Sequence, residues 1–260
     1  MKLRVFMSVL ALGACVGMAE AQMAYAVDAS ANLYLVNLGT NSASLVGNTG
    51  VFLEGLAMNS SGQMFGTDTS GNLYSINANT GASTLVGASG LFDPEGLDFA
   101  DSDLWATNFD APTTLHQLDT STGADTGNDV TSTITDSVAR AMTFDPANDY
   151  AWTLNDTAFG QDLWKTTYGG VSTLVGALAD PTGEPLSQTA AMEFDSSGNL
   201  WALGESGQVW SINPNTAVAT LMGNTGGQVY LDMTMAVPEP ATMIPLGLGA
   251  LALVIRRRKK

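Results

Sequence analysis

The sequence predicts an all-β fold assembled from one repeated unit. Three observations carry that expectation. The stretch GNLYSINANTGASTLVG, at 71–87, recurs along the chain. A second hairpin pattern precedes most of its copies. No long helical periodicity appears, while Gly, Ser, Thr, Asn and Asp are abundant.

Leu73-Tyr74-Ser75-Ile76 has the aromatic and branched character of a short strand. Asn77-Ala78-Asn79-Thr80-Gly81 is turn chemistry, because Asn and Gly tolerate positive φ and Thr bonds to nearby backbone. Ser83-Thr84-Leu85-Val86 is a second strand, stopped by Gly87. Copies stand at 33–47 and 209–223, a copy one residue shorter at 163–176, and a degraded one at 115–129. The starts at 33, 73, 115, 163 and 209 are spaced by 40, 42, 48 and 46 residues.

The second hairpin begins at Glu54, Glu95, Arg140 and Ala190, with Asn-Ser-Ser-Gly, Asp-Pro-Ala-Asn or Asp-Ser-Ser-Gly as its turn in most copies. Each period therefore holds four short strands. A four-strand repeat of roughly 40–50 residues is the signature of a propeller blade.

The ends set the count. The first Leu-Tyr hairpin has one strand before it, at 23–27, and lacks an innermost partner. Leu231-Asp232-Met233-Thr234-Met235 resembles an innermost strand with no blade after it. Joined, they complete a blade. The expectation is a five-bladed β-propeller over 22–236, closed by its N- and C-terminal strands, with six blades as the fallback. Closure removes free central edges. An open solenoid would need polar caps, and none is seen. The repeat resembles that of uncharacterised secreted bacterial propellers with Leu-Tyr-x-Ile-Asn and Thr-Leu-Val-Gly units. It lacks the Trp-Asp signature of WD40 blades and the double glycine of kelch.

Residues 1–21 read as a secretory signal. Lys2 and Arg4 supply the positive region, an apolar run follows, and Ala19-Glu20-Ala21 is an A-x-A cleavage site. Cutting after Ala26 would destroy the strand at 23–27, so Gln22 is the expected mature start. The only cysteine, Cys15, lies in that segment, within a Leu-Gly-Ala-Cys sequence that also resembles a lipobox. If it is removed, the mature chain holds no thiol and no disulfide.

Charge is distributed unevenly. Of nine Lys/Arg, two lie before residue 22 and five in the last five positions, leaving Arg140 and Lys165 in the propeller. Of 25 Asp/Glu, only Glu20 and Glu239 fall outside it, so its formal charge is 2 − 23 = −21. Such a surface repels nucleic acid and anionic lipid. It suits solubility outside the cell and attracts divalent cations.

From residue 237 the sequence changes character. Val237-Pro238-Glu239-Pro240 is a stiff spacer, 241–255 is apolar, and 256–260 is a block of five cations. The apolar run is short of the roughly 20 residues that span a bilayer untilted, and the cations belong on the cytoplasmic side. An ordinary tail anchor would look similar. The order of the three parts resembles the PEP-CTERM sorting signal of Gram-negative bacteria. That resemblance implies an exosortase-type partner, and a transmembrane helix in the inner membrane before processing. It also implies release or attachment at the surface, often in company with exopolysaccharide and biofilm matrix. Pro238, Glu239 and Pro240 would be the recognition motif, and Arg256, Arg257 and Arg258 its basic tail.

Candidate chemistry is sparse. In a propeller the loops entering the innermost strand share one face with those joining the second and third strands. Here they carry Glu54, Asp93 and Glu95, together with Asp28, Asp68, Asp110, Asp156, Asp180, Glu184 and Glu205. Grouped carboxylates suit Ca²⁺, which takes six to eight oxygens. The same residues also suit ordinary turns, and no loop has the spacing of a dedicated calcium loop. Arg140 stands where sister blades carry Glu54 and Glu95, as an ion-pair partner or an anchor for an anionic ligand. His116 is the only histidine and reads as a strand residue rather than a base, which excludes multi-histidine metal centres. No G-x-S-x-G elbow accompanies it. The five tryptophans fall on second or third strands and are expected in the core.

The leading functional expectation is an exported, surface-sorted binding or scaffold protein of the exopolysaccharide matrix, without catalytic residues. Its partners would be polysaccharide or another envelope protein. The alternative is a Ca²⁺-dependent propeller hydrolase or lyase acting at the acidic channel. A third reading is a surface-layer or glycosylated coat component.

Overall fold

The computed structural model describes residues 22–237, except 148, 187 and 188. The expected signal at 1–21, the motif Pro238, Glu239, Pro240, the expected apolar helix and Arg256–Arg258 lie outside the described residues. No helix among the described residues is long and apolar enough to cross a membrane.

The described residues form five four-stranded antiparallel sheets. It opens with β1 (Met23–Asp28), β2 (Asn32–Asn37) and β3 (Ser42–Asn48). The second blade is β4 (Gly55–Met58), β5 (Met64–Thr67), β6 (Asn72–Ile76) and β7 (Ser83–Ala88). The third is β8 (Pro94–Ala100), β9 (Asp103–Asn108), β10 (Thr114–Leu118) and β11 (Val130–Thr131). The fourth is β12 (Val138–Phe144), β13 (Ala151–Thr157), β14 (Gly160–Thr166) and β15 (Ser172–Ala177). The fifth is β16 (Thr189–Phe194), β17 (Leu200–Gly204), β18 (Gln208–Ile212) and β19 (Ala219–Asn224). Finally β20 (Tyr230–Met235) pairs with β1 and completes the first blade from the other end of the chain. The innermost strands β20, β4, β8, β12 and β16 pack in sequence and close on one another. Five blades, not six, is the count.

Apolar side chains are buried between blades. Leu73 and Phe65 of the second blade pack with Leu97, Leu104 and Leu118 of the third, for example. Trp105, Trp152 and Trp201 are buried, and Trp164 and Trp210 half-buried. The recurring Leu-Val-Gly text has two structural consequences. Gly47, Gly87 and Gly176, and Gly223 of the variant Leu-Met-Gly, each pair with the third-strand residue just before a bulge. The next blade's hairpin turn also sits against these glycines. A Cβ on Gly47 would lie 2.0 Å from the Thr80 carbonyl oxygen, and one on Gly87 would lie 1.9 Å from that of Thr122. The glycine thus permits one blade's turn to seat on the previous blade's outer strand.

The third blade departs from the pattern. The degraded copy at 115–129 does not contain its fourth strand; β11 follows it and is only two residues long. Gly127 takes positive φ and Asp125 caps its N–H at 2.8 Å, so the chain loops outward before β11 forms.

Inner strands of neighbouring blades share no sheet, so their inward N–H groups need other acceptors. Ala57, Asp98, Thr143, Glu193 and Thr234 occupy equivalent positions, each opposite an aromatic residue on the second strand. Their side chains link blade to blade. Thr234 Oγ1 accepts from Met58 N–H at 3.0 Å, Asp98 from Phe144 N–H at 2.7 Å, and Thr143 Oγ1 from Phe194 N–H at 3.4 Å. The Met235 backbone N–H draws the Glu193 pKa down, against the larger effect of burial. Ala57 cannot accept, and there Asp98 bonds its neighbouring Phe99 N–H at 2.7 Å. Nearer the opposite face, Asp232 accepts from Leu56 N–H at 2.6 Å.

Candidate functional site

Bulges in the innermost strands shape the channel mouth. The register shifts at Glu95 in β8, at Arg140 in β12 and at Ala190 in β16. A bulge re-aims the extra side chain. Glu54 occupies the corresponding position just ahead of β4.

Glu54, Asp93 and Glu95 converge, with one carboxylate oxygen from each lying within 4.8 Å of the others. Asp93 reaches this position with φ of +50°, a left-handed conformation that Asp tolerates better than most residues. Glu95 is buried and Glu54 half-buried. Burial, then the nearby Glu95 charge and a hydrogen bond with Asp93, push the Glu54 carboxyl up to about 8. Its Oε2 is buried with no hydrogen-bond partner. Burial pushes Glu95 up to about 7, against the pull of Arg140.

Arg140 bridges two walls of the mouth. Its Nε donates to Asp156 Oδ2 at 3.0 Å and its Nη1 to Glu95 Oε2 at 3.4 Å. The guanidinium lies 5.3 Å from the centre of the Phe109 ring. Burial works against its charge, but Glu95 and Asp156 raise its pKa overall. The ion-pair role expected of Arg140 is therefore present, with one carboxylate on each side.

Beyond Arg140 opens a cleft of about 580 Å³, lined by Arg140, Asp156, Phe159, Gln161, Pro185 and Glu205 among others. Gln161 fixes its wall, donating to Asp156 Oδ1 at 3.0 Å and to the Thr189 carbonyl at 2.8 Å. Phe159, at the β13–β14 turn, is 89% exposed. It does not belong to the repeat, and nothing in the sequence periodicity singles it out.

The expected residues divide. Glu54, Asp93, Glu95, Arg140 and Asp156 form one connected group, and Glu205 shares the cleft. Asp68 does not join them. It accepts from Ser70 N–H, Asn72 N–H and Tyr74 Oη, which makes it a turn residue. Asp28 does the same with Ser30 and Asn32. Asp180 is held low by Thr182 and the turn N–H groups. Three channel carboxyls escaped the sequence reading: Asp98, Glu193 and Asp232. All are buried, and burial raises each: Asp98 to about 6, Glu193 and Asp232 well above the usual range. Their signal was a polar residue inside an otherwise apolar strand. Asp98 and Glu193 border a smaller cavity of about 250 Å³ at the other end of the channel.

The ring and its terminal motif define an exported, sorted β-propeller protein. The PEP-CTERM protein-sorting motif matches residues 236–259, which implies export, processing by an exosortase-type enzyme and delivery to the envelope or surface. The chain belongs to the DUF6923 family, described as a repeat of unknown function, which matches residues 104–237. No curated protein matches the sequence. Among solved structures, a chain of a nidogen/laminin complex is similar in fold. Its TM-score is 0.53 at 13% identity, covering 84% of this chain and 81% of that one. A chain from work on the de novo evolutionary emergence of a symmetrical protein gives a TM-score of 0.56 at 16% identity, covering 84% of this chain and all 100% of that one. At these identities the likeness concerns fold alone.

Proposed function

We propose that this exported propeller is a binding and scaffold protein of the extracellular matrix that holds polysaccharide at its channel mouth. In this reading residues 1–21 are the signal and 22–236 the binding domain. Residues 237–260 are the sorting segment, with an apolar helix that sits in the inner membrane until processing. One observation carries the binding role: an exposed aromatic ring, Phe159, stands at the rim of a polar cleft holding Asp156, Gln161, Glu205 and Arg140. An exposed ring offers a face to the C–H side of a sugar. Carboxylates and an amide accept and donate to its hydroxyls. Co-sedimentation with polysaccharide isolated from the producing cells tests this. Phe159→Ala and Glu205→Gln should release the protein into the supernatant. If both variants sediment as the parent does, the matrix contact lies elsewhere or is made through another envelope protein.

A second reading rests on Glu54. Glu54 with Asp93 and Glu95 brings three carboxylate oxygens within 4.8 Å of one another, a set that, once ionised, would hold Ca²⁺ in a hydrolase or lyase. Depolymerisation of the same polysaccharide, dependent on Ca²⁺ and lost in Glu54→Gln, would favour it. Equal product with and without the substitution would remove it.

A further inference from the structure

The sole histidine and the broken repeat coincide. His116 lies on β10 opposite Ala106, in the blade whose fourth strand is displaced by the loop at 124–129. Its Nδ1 faces two carboxylate oxygens at once: Asp125 Oδ2 at 3.2 Å and Asp129 Oδ1 at 3.1 Å. All three donor atoms lie within 4.8 Å of one another.

The loop is built to hold them. Asp125 N–H donates to the Ser89 carbonyl at 3.3 Å, and Asp125 Oδ1 is occupied by Gly127 N–H at 2.8 Å. This leaves Oδ2 aimed at the ring. Gln117 Oε1 accepts from Thr126 Oγ1 at 3.3 Å and from Asn128 Nδ2 at 2.7 Å, pinning the loop between the two aspartates. The imidazole side chain is only 13% exposed, and its Nε2 is buried without a partner. Nδ1 is therefore the nitrogen offered to a ligand, and Asp129, 38% exposed, leaves the site open to solvent.

Three electron-rich atoms converge on one point, where either one proton or one cation must sit. A single N–H pointing at two acceptors serves both poorly. Bonds of about 2.0–2.2 Å to one metal ion would place adjacent ligands roughly 3.0–3.4 Å apart, depending on whether the angle is octahedral or tetrahedral. The observed 3.1 and 3.2 Å fall in that interval. A neutral imidazole with two carboxylates carries a charge of −2, which a divalent ion cancels. An imidazole in the set selects against Ca²⁺, which prefers oxygen, and suits zinc-class ions.

We propose that His116, Asp125 and Asp129 bind one divalent transition-metal ion of the zinc class. Water would complete the coordination on the exposed side. The ion would clamp the loop that replaces the missing outer strand. This site is separate from the channel mouth and does not depend on the function proposed for it.

The test titrates Zn²⁺ into the chelator-stripped protein at about 150 mM salt, which screens diffuse attraction to the acidic surface. Calorimetry should give one saturable site, and Zn²⁺ should raise the melting temperature where equal Mg²⁺ does not. Co²⁺ should give a visible absorption band that Zn²⁺ displaces. His116→Ala and Asp129→Asn should each weaken binding roughly tenfold or more. Asp129 is on the surface, so its variant decides the matter should His116→Ala fold poorly. Absence of saturable binding, or equal binding in parent and Asp129→Asn, would overturn the proposal and leave one shared proton at the cluster.

Discussion

Asp98 accepts the backbone N–H of Phe144 at 2.7 Å across the seam between the third and fourth blades. This bond does what no sheet can do at that seam, because β8 and β12 belong to different sheets. The ring is sewn together at its centre by side chains, and some of those side chains are buried acids.

Truncating that acceptor should be costly. Asp98→Ala leaves the N–H groups of both Phe99 and Phe144 without their acceptor. Each unsatisfied buried donor costs about 1–3 kcal/mol. Chemical denaturation should show a lower midpoint with an unchanged slope.

The same acids fix the sign of the pH response. Glu54, Glu95, Asp98, Glu193 and Asp232 all have native pKa values raised by burial. A raised carboxyl binds its proton more tightly when folded, so stability falls as pH climbs from the unfolded pKa to the folded one. For Glu54 that window runs from 4.5 to about 8. For Asp98 it runs from 3.8 to about 6, worth roughly 3 kcal/mol at most. The melting temperature should therefore be higher at about pH 5.5 than at about pH 8.5, by roughly 2–4 °C for each kcal/mol. Glu193→Gln should flatten the profile.

Arg140 should become more important as Glu95 ionises. With Arg140→Gln, Glu95 and Asp156 lose their shared cation. Removing one partner of a buried pair costs about 3–5 kcal/mol, and partial exposure of Arg140 places the loss below that range. The destabilisation should be larger at about pH 8 than at about pH 6, because Glu95 can escape by protonation at the lower pH. Thermal melts of parent and variant at both pH values measure it.

The interblade glycine should tolerate nothing larger. Gly87→Ala drives a methyl into the Thr122 carbonyl and should cost about 1–3 kcal/mol or more. Gly169→Ala, whose Cβ would meet nothing nearer than 3.7 Å, is the control and should be near neutral in the same assay.

The architecture was legible because its signals are local and repeated. Turn residues and short strands recur in all five periods, Leu-Val-Gly or Leu-Met-Gly ends four of them, and the orphan strand at 231–235 disclosed how the ring closes. The alignment of Glu54, Glu95 and Arg140 in the repeat likewise points to one shared face. What the repeat could not reveal lies where chains distant in sequence meet. Asp98 and Glu193 matter through the N–H groups of the next blade, and no strand pattern marks those. Asp68 was expected on the same face as Glu54, yet its oxygens accept from its own turn. His116 became informative only when the loop that replaces a strand brought Asp125 and Asp129 to it.

In the proposed function the channel mouth is the surface that meets ligand. Hydrogen–deuterium exchange of the protein, with and without polysaccharide fragments from the producing cells, tests that most directly. Protection concentrated around Arg140, the Asp156–Gln161 turn and Glu205 is the expected result. Protection confined to the outer strands β3, β7, β15 and β19, with the mouth unchanged, would contradict it.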